Sequence, residues 1–200
     1  MEQRLDHAAQ AAALRLVRSP MTAPAVAALA AAPTRRAVAF GDSLTADPRS
    51  WAEILRHAMR LTRAARAVEV VNLGVAGDTT VHLISRFADV AACRPDLLIV
   101  MAGTNDARRH GDAADRMLVP DRETENNLVL LRTLAHQQTQ ARIVFVTPPP
   151  VIEHRIRRAP TLLREPVTWV AADVDRKARI VAALSAEVID SRAALRPPLD

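Results

Sequence analysis

Ala37-Val38-Ala39-Phe40-Gly41-Asp42-Ser43-Leu44 is the stretch on which the reading of the fold turns. Four apolar residues in a row suit a buried strand. Gly41 permits a tight turn at its end, and Ser43 then falls where strand gives way to helix. In open α/β sheets that carboxyl edge is where nucleophiles are exposed and ligands bind. Alone, the tetrapeptide from Gly41 to Leu44 reads equally well as a β-turn with a serine helix cap.

Two further segments repeat the pattern. Val68-Glu69-Val70-Val71 runs into Asn72-Leu73-Gly74-Val75-Ala76-Gly77-Asp78-Thr79-Thr80, and Leu97-Leu98-Ile99-Val100-Met101 runs into Ala102-Gly103-Thr104-Asn105-Asp106. Singly, Gly77 also reads as a turn before a helix and Asn105 as a turn residue or cap. In this order, the three blocks resemble the SGNH (GDSL) hydrolases, a family of esterases and lipases, over roughly Arg36 to Asp190. The resemblance implies Ser43 as nucleophile. It also implies an oxyanion site made by the backbone N–H groups of Ser43 and Gly77 and the side-chain amide of Asn105. Such residue types suit acyl transfer, because each fixed donor aimed at the developing oxyanion is worth about 3 kcal/mol of barrier. Asp42 and Asp106 read as turn-forming carboxylates bonded to nearby backbone N–H groups.

The family pattern closes with a D-x-x-H block after the last strand, in which the histidine takes the serine proton and the aspartate orients it. Here the last strand candidate, Glu187-Val188-Ile189-Asp190, is followed by ten residues without that block, and no histidine lies beyond His154. Four explanations stand: a block beyond residue 200, a histidine from elsewhere in the chain, one from a neighbouring subunit, or a family member that binds without hydrolysing. Arg196-Pro197-Pro198-Leu199-Asp200 resembles the approach to the block, so the first is the expectation. Of the six histidines, His110 and His154 fall on the expected cleft side. His7, His57, His82 and His136 fall in helical patterns, where surface or half-buried roles are usual.

Working outward, strands are expected near 36–41, 68–73, 96–102, 142–147 and 186–190, with helices near 50–64, 78–92, 122–139 and 165–184. Near-continuous apolar strands alternating with helices predict an α/β/α three-layer sandwich around a parallel sheet. The resemblance implies five strands in flavodoxin-like order 2-1-3-4-5. Residues 1–34 form an N-terminal extension with an amphipathic helix (Leu5, Ala8, Ala9, Ala12, Leu16, Val17) and a second short one after Pro24; residues 35–200 form the hydrolase domain. The extension reads as a packing element, or as a docking helix for a dimer partner or a lid.

Composition narrows the function classes. Half of the 200 residues are hydrophobic, with no Tyr and only three Phe, so the core rests on Val, Leu, Ile and Ala. Cys93 is the only cysteine, which excludes an internal disulfide and suits a plain packing role. The net charge of +5 is carried by arginine, Lys177 being the sole lysine. Basic residues scattered among acids, with few aromatics, argue against a nucleic-acid partner. Arg155, Arg157 and Arg158 form the densest group, read as a solvated face or a rim that attracts anions. No segment is apolar enough to span a membrane; the N-terminus lacks a strong apolar stretch with a basic start, so the expected location is cytoplasmic, with the Ala-rich run Val26 to Ala32 leaving secretion open. No metal cluster or cofactor motif is present. The expected activity is hydrolysis or transfer of the acyl group of a small or medium ester or thioester through an acyl-enzyme on Ser43. The alternative is a non-catalytic binding or scaffolding protein of the same fold.

Overall fold

The computed structural model describes residues 2–62, 68–110, 115–158, 167–184 and 186–194. Its centre is a parallel sheet of five strands: β1 (Arg36–Gly41), β2 (Glu69–Gly74), β3 (Leu97–Met101), β5 (Arg142–Val146) and β7 (Glu187–Ile189). Their spatial order is β2-β1-β3-β5-β7, the flavodoxin-like order once only these five are counted. Two-residue strands β4 (Arg109–His110) and β6 (Val167–Thr168) pair antiparallel beside it.

Each apolar run serves two faces, because successive strand side chains point to opposite sides. Val38 and Phe40 join Leu98, Val100 and Phe145 in one buried cluster. Ala37 joins Val70, Leu97 and Val144 in another. The first face is covered by α5 (Thr80–Ser85), α6 (Phe87–Cys93), α7 (Asp121–Gln138) and α9 (Ala171–Ala182). The second is covered by α4 (Trp51–Leu61), with α1 (Glu2–Arg18) and α2 (Ala23–Ala31) packed outside it. The remaining helices, α3 (Ser43–Ala46), α8 (Glu153–Ile156) and α10 (Ser191–Ala194), are single turns that follow strand ends or loops. Cys93 packs against the first cluster.

Register places the site. Gly41 stands opposite Gly74 and Met101, Met101 opposite Val146, and Val146 opposite Ile189. All five strands therefore stop level, and the residues that follow them share one edge. At that edge Ser191 Oγ donates to Thr147 O at 2.7 Å and Ser191 N to Thr147 Oγ1 at 3.0 Å, fastening the end of β7 to β5.

Four details differ from the sequence expectation. The helix expected over 78–92 breaks at Arg86 into α5 and α6, because the Arg86 side chain turns under the sheet edge. The helix expected from 165 starts at Ala171, since Val167 and Thr168 pair with β4; residues 165 and 166 lie outside the described residues. α2 begins at Ala23, with Pro24 inside its first turn, where the missing N–H leaves no carbonyl unpaired. The buried stripe of α1 runs through Ala9 and Ala13, not Ala8 and Ala12. Their small side chains admit α4 closely, and His57 Nε2 of α4 meets Asp6 Oδ1 at 2.8 Å. The helix expected to reach 64 stops at Leu61, where Thr62 turns to extended backbone and caps it with a bond from its N–H to Met59 O; parts of the loops around 111–114 and 159–166 and the segment Arg196–Asp200 lie outside the described residues.

Candidate active site

Ser43 is the first residue of α3 and is exposed. Asp42 before it caps the turn, its carboxylate accepting from Leu44 N–H at 2.9 Å. As the first helical residue, Ser43 has a backbone N–H that no intrahelical carbonyl reaches. Two close approaches hold this turn. A Cβ on Gly41 would meet Met101 O at 2.4 Å, and one on Gly74 would meet Ala46 N at 2.4 Å. Neither backbone atom can retreat, so α3 can sit directly against the ends of β2 and β3 only with glycine at both places. Asn72 adds a polar strap: its Nδ2 donates to Thr45 O and Glu53 Oε1, and its Oδ1 accepts from Gly74 N–H.

The second block turns at Gly77, where φ is +89°. No other atom crowds a Cβ built there, so the left-handed backbone, not space, calls for glycine. The third block is bound to the second by its two polar side chains. Asn105 Nδ2 donates to Asp78 O at 3.0 Å, leaving the second amide hydrogen free of that bond. Asp106 Oδ1 accepts from Thr80 N–H at 2.8 Å, and its Oδ2 accepts from Thr80 Oγ1 and Thr124 Oγ1, both at 2.7 Å. The expectation that Asp106 bonds nearby backbone is thus corrected: its partners are 18 and 26 residues away.

Two cations that sequence reasoning left unassigned brace this edge. Arg86 Nε binds Asp78 Oδ2 at 2.6 Å, while its terminal nitrogens donate to Leu73 O and Gly41 O. Its guanidinium also lies 4.4 Å over the Phe40 ring. Lys177 is fully buried and donates to Val119 O at 2.8 Å and Thr124 Oγ1 at 2.9 Å, with Asp121 Oδ1 2.7 Å away. A lone lysine in an arginine-rich chain was the available signal, since a compact ammonium fits a buried three-donor site that a guanidinium fork would not.

The three blocks meet. Ser43, Gly77 and Asn105 line one cavity of about 660 Å³. Its other wall is Pro149 to Ile152 with Ile156 and Trp169, whose Nε1 donates to Thr104 O at 2.9 Å. Burial pushes the Asp42 carboxyl up to about 7, and the nearby carboxylates of Asp106 and Asp78 push it the same way. No histidine is among the cavity's lining residues. His154 sits on α8 with its neighbours Arg155 and Ile156 facing the cavity, and His110 lies in β4 with its buried Nε2 unbonded. Among the described residues, no group of three or more metal-ligating side chains gathers at one place, and no helix is long and apolar enough to cross a membrane.

Solved structures of similar fold include an acetylxylan esterase from Geobacillus stearothermophilus, 20% identical with a TM-score of 0.60, covering 80% of this chain and 77% of that one. A carbohydrate acetylesterase from Sinorhizobium meliloti is 18% identical with a TM-score of 0.54, covering 78% of this chain and 84% of that one. At these identities the likeness concerns the fold. No curated protein matches the chain in sequence. The family model of the GDSL-like lipases and acylhydrolases, however, matches residues 39–200, from the first block onward. Serine ester hydrolysis is the chemistry of that group, and the chain belongs to the GDSL-like lipase/acylhydrolase family.

Proposed function

We propose that the protein cleaves small or medium acyl esters or thioesters through an acyl-enzyme on Ser43, with water or another alcohol accepting the acyl group. The observation that carries this reading is the convergence of Ser43, Gly77 and Asn105, from three separate strand ends, on one cavity. Ser43 Oγ attacks the carbonyl carbon. The oxyanion that forms is held by the N–H groups of Ser43 and Gly77 and by the Asn105 amide hydrogen not bonded to Asp78 O. The bond from Asn105 to Asp78 fixes the amide plane in advance, so no reorganisation is needed as charge develops. The leaving group departs with a proton, and water then releases the acid. None of the histidines lining α8 or β4 is assigned the serine proton, since none faces the cavity.

That same observation favours a second reading, in which the fold binds a ligand without hydrolysing it. One experiment separates them. The protein is incubated with a fluorophosphonate probe and with 4-nitrophenyl butyrate, beside Ser43→Ala. Labelling and turnover that vanish in the variant support the esterase; their absence in the wild-type protein supports the binding reading.

A further inference from the structure

Two guanidiniums line the cleft, and among the described residues no carboxylate does. Arg108 is half-buried, and its Nε is shut away from water with no hydrogen-bond partner. Six other half-buried arginines have a carboxylate beside them: Arg36 has Glu69, Arg56 has Glu53, Arg86 has Asp78, Arg109 has Asp173, Arg176 has Asp121, and Arg192 has Asp175. Arg108 differs from these six at the point where the chain faces the cavity. Its backbone is fixed by bonds from its N–H to Asn105 O at 3.2 Å and from Leu118 N–H to its carbonyl at 2.8 Å. The second guanidinium, Arg155, is exposed at the cavity rim and makes no ion pair among the described residues, where Glu153 pairs with Arg157 and accepts from Ala171 N–H. Thr104 Oγ1, another lining group, is likewise buried and unbonded.

A buried donor left without an acceptor costs about 1–3 kcal/mol, and more when it carries charge. Here the unmet donors, Arg108 Nε and Thr104 Oγ1, line the same cavity as Ser43, so the acceptor that would meet them is a ligand. A guanidinium fork matches the paired oxygens of a carboxylate or phosphate. Resting on the ester-hydrolase reading above, we propose that the substrate is an ester bearing a carboxylate or phosphate, which Arg108 holds with help from Arg155 and Thr104 Oγ1. Arg108 is then a specificity-determining residue: it selects which ester is bound and takes no part in the bond-making step.

The test reads binding and catalysis separately. In the Ser43→Ala background, which cannot acylate, the affinities of monomethyl succinate, the methyl ester of phosphoglycolate and neutral methyl butyrate are measured by calorimetry. At least tenfold tighter binding of one anionic ester is expected, its identity deciding between carboxylate and phosphate. That preference should vanish in Arg108→Gln, survive in part in Arg108→Lys, and weaken as salt is raised. In the otherwise wild-type protein, Arg108→Gln should lower kcat/KM for 4-nitrophenyl hemisuccinate at least tenfold and leave 4-nitrophenyl butyrate within twofold. Equal affinities, or a preference that persists in Arg108→Gln, would overturn the proposal. So would an equal loss on both chromogenic esters, which would make Arg108 a general stabiliser of the oxyanion. If the binding preference holds while no ester is cleaved, the anion site stands and the hydrolase reading falls.

Discussion

The two walls of the cleft are built by opposite means. The wall of Ser43, Gly77 and Asn105 is a lattice of buried polar bonds. Asp106 collects three donors, Arg86 clamps two strand ends, and Asn105 is anchored on Asp78. The facing wall is apolar, with Val151, Ile156 and Trp169 packed on Ala107 and Val174 and few polar ties beyond the Trp169 bond to Thr104 O. A hydrogen-bond network has one arrangement that satisfies every member, so it fixes geometry. Apolar packing tolerates exchange of similar volumes. On the proposed function, the contrast separates a wall that sets chemistry from a wall that sets what is admitted, and four variants can break or sharpen it.

The largest effect is expected at Asp42, where the polar wall carries a flaw. Its carboxylate is buried, and Oδ2 has no partner. Burial raises its folded value to about 7 from an ordinary 3.8. The fold thus favours the neutral acid, while the unfolded chain releases the proton from about pH 4 upward. Stability is fully present below that point and falls as pH rises to about 7. At about 1.4 kcal/mol per unit, the loss approaches roughly 4 kcal/mol. Asp42→Asn keeps the acceptor for Leu44 N–H and removes the ionisation. Its denaturation midpoint should stay level between pH 4 and 7.5 while that of the wild type drops. Parallel curves would show that Asp42 is ionised without penalty.

Asn105→Ala tests the same wall through rate. On the proposed function, in which Asn105 is an oxyanion donor, the loss should lower kcat about 10²–10³-fold, or roughly 3–4 kcal/mol of barrier, with KM nearly unchanged. A change confined to KM would mean that Asn105 binds the ground state only. Asp106→Ala should act on stability instead. It strands Thr80 and Thr124, and Lys177 Nζ loses the order of its Thr124 contact. A loss of about 3 kcal/mol in urea unfolding is expected. A loss below about 1 kcal/mol would show that water replaces the carboxylate at little cost.

How much of this was legible differs between the walls for a physical reason. The strand ends and the three blocks could be read because each is local: an apolar run, a glycine, and a polar residue within a few positions. The level carboxyl edge then follows from parallel register. The facing wall depends on contacts that no window of sequence contains. Val167 and Thr168 lie inside a stretch with helical character, yet they pair with Arg109 and His110 almost sixty residues earlier. Two-residue strands carry no periodicity to detect. Arg86 sat mid-helix by pattern, and only the distant carbonyls of Gly41 and Leu73 explain the break there. The partners of Asp106 were missed likewise, because side-chain bonds across 26 residues leave no local trace.

Trp169→Phe gives the smallest expected effect and asks whether the apolar wall is as tolerant as its construction implies. The indole is buried, and its one polar tie is the 2.9 Å bond from Nε1 to Thr104 O. Phe keeps most of the packing against Ala107 and Val174 and deletes that donor. The bond is neutral, and Thr104 is only half-buried, so water can reach the freed carbonyl. The net loss should be about 1 kcal/mol of stability. KM should shift a few-fold for esters whose acyl group is long enough to reach this wall and less for acetate esters. kcat should hold within about twofold, since none of the proposed oxyanion donors is touched. A large fall in kcat would show that the position of Thr104, and through it the neighbouring Asn105, depends on this bond. The two walls would then form one coupled unit, and the division between chemistry and admission would not describe this cleft.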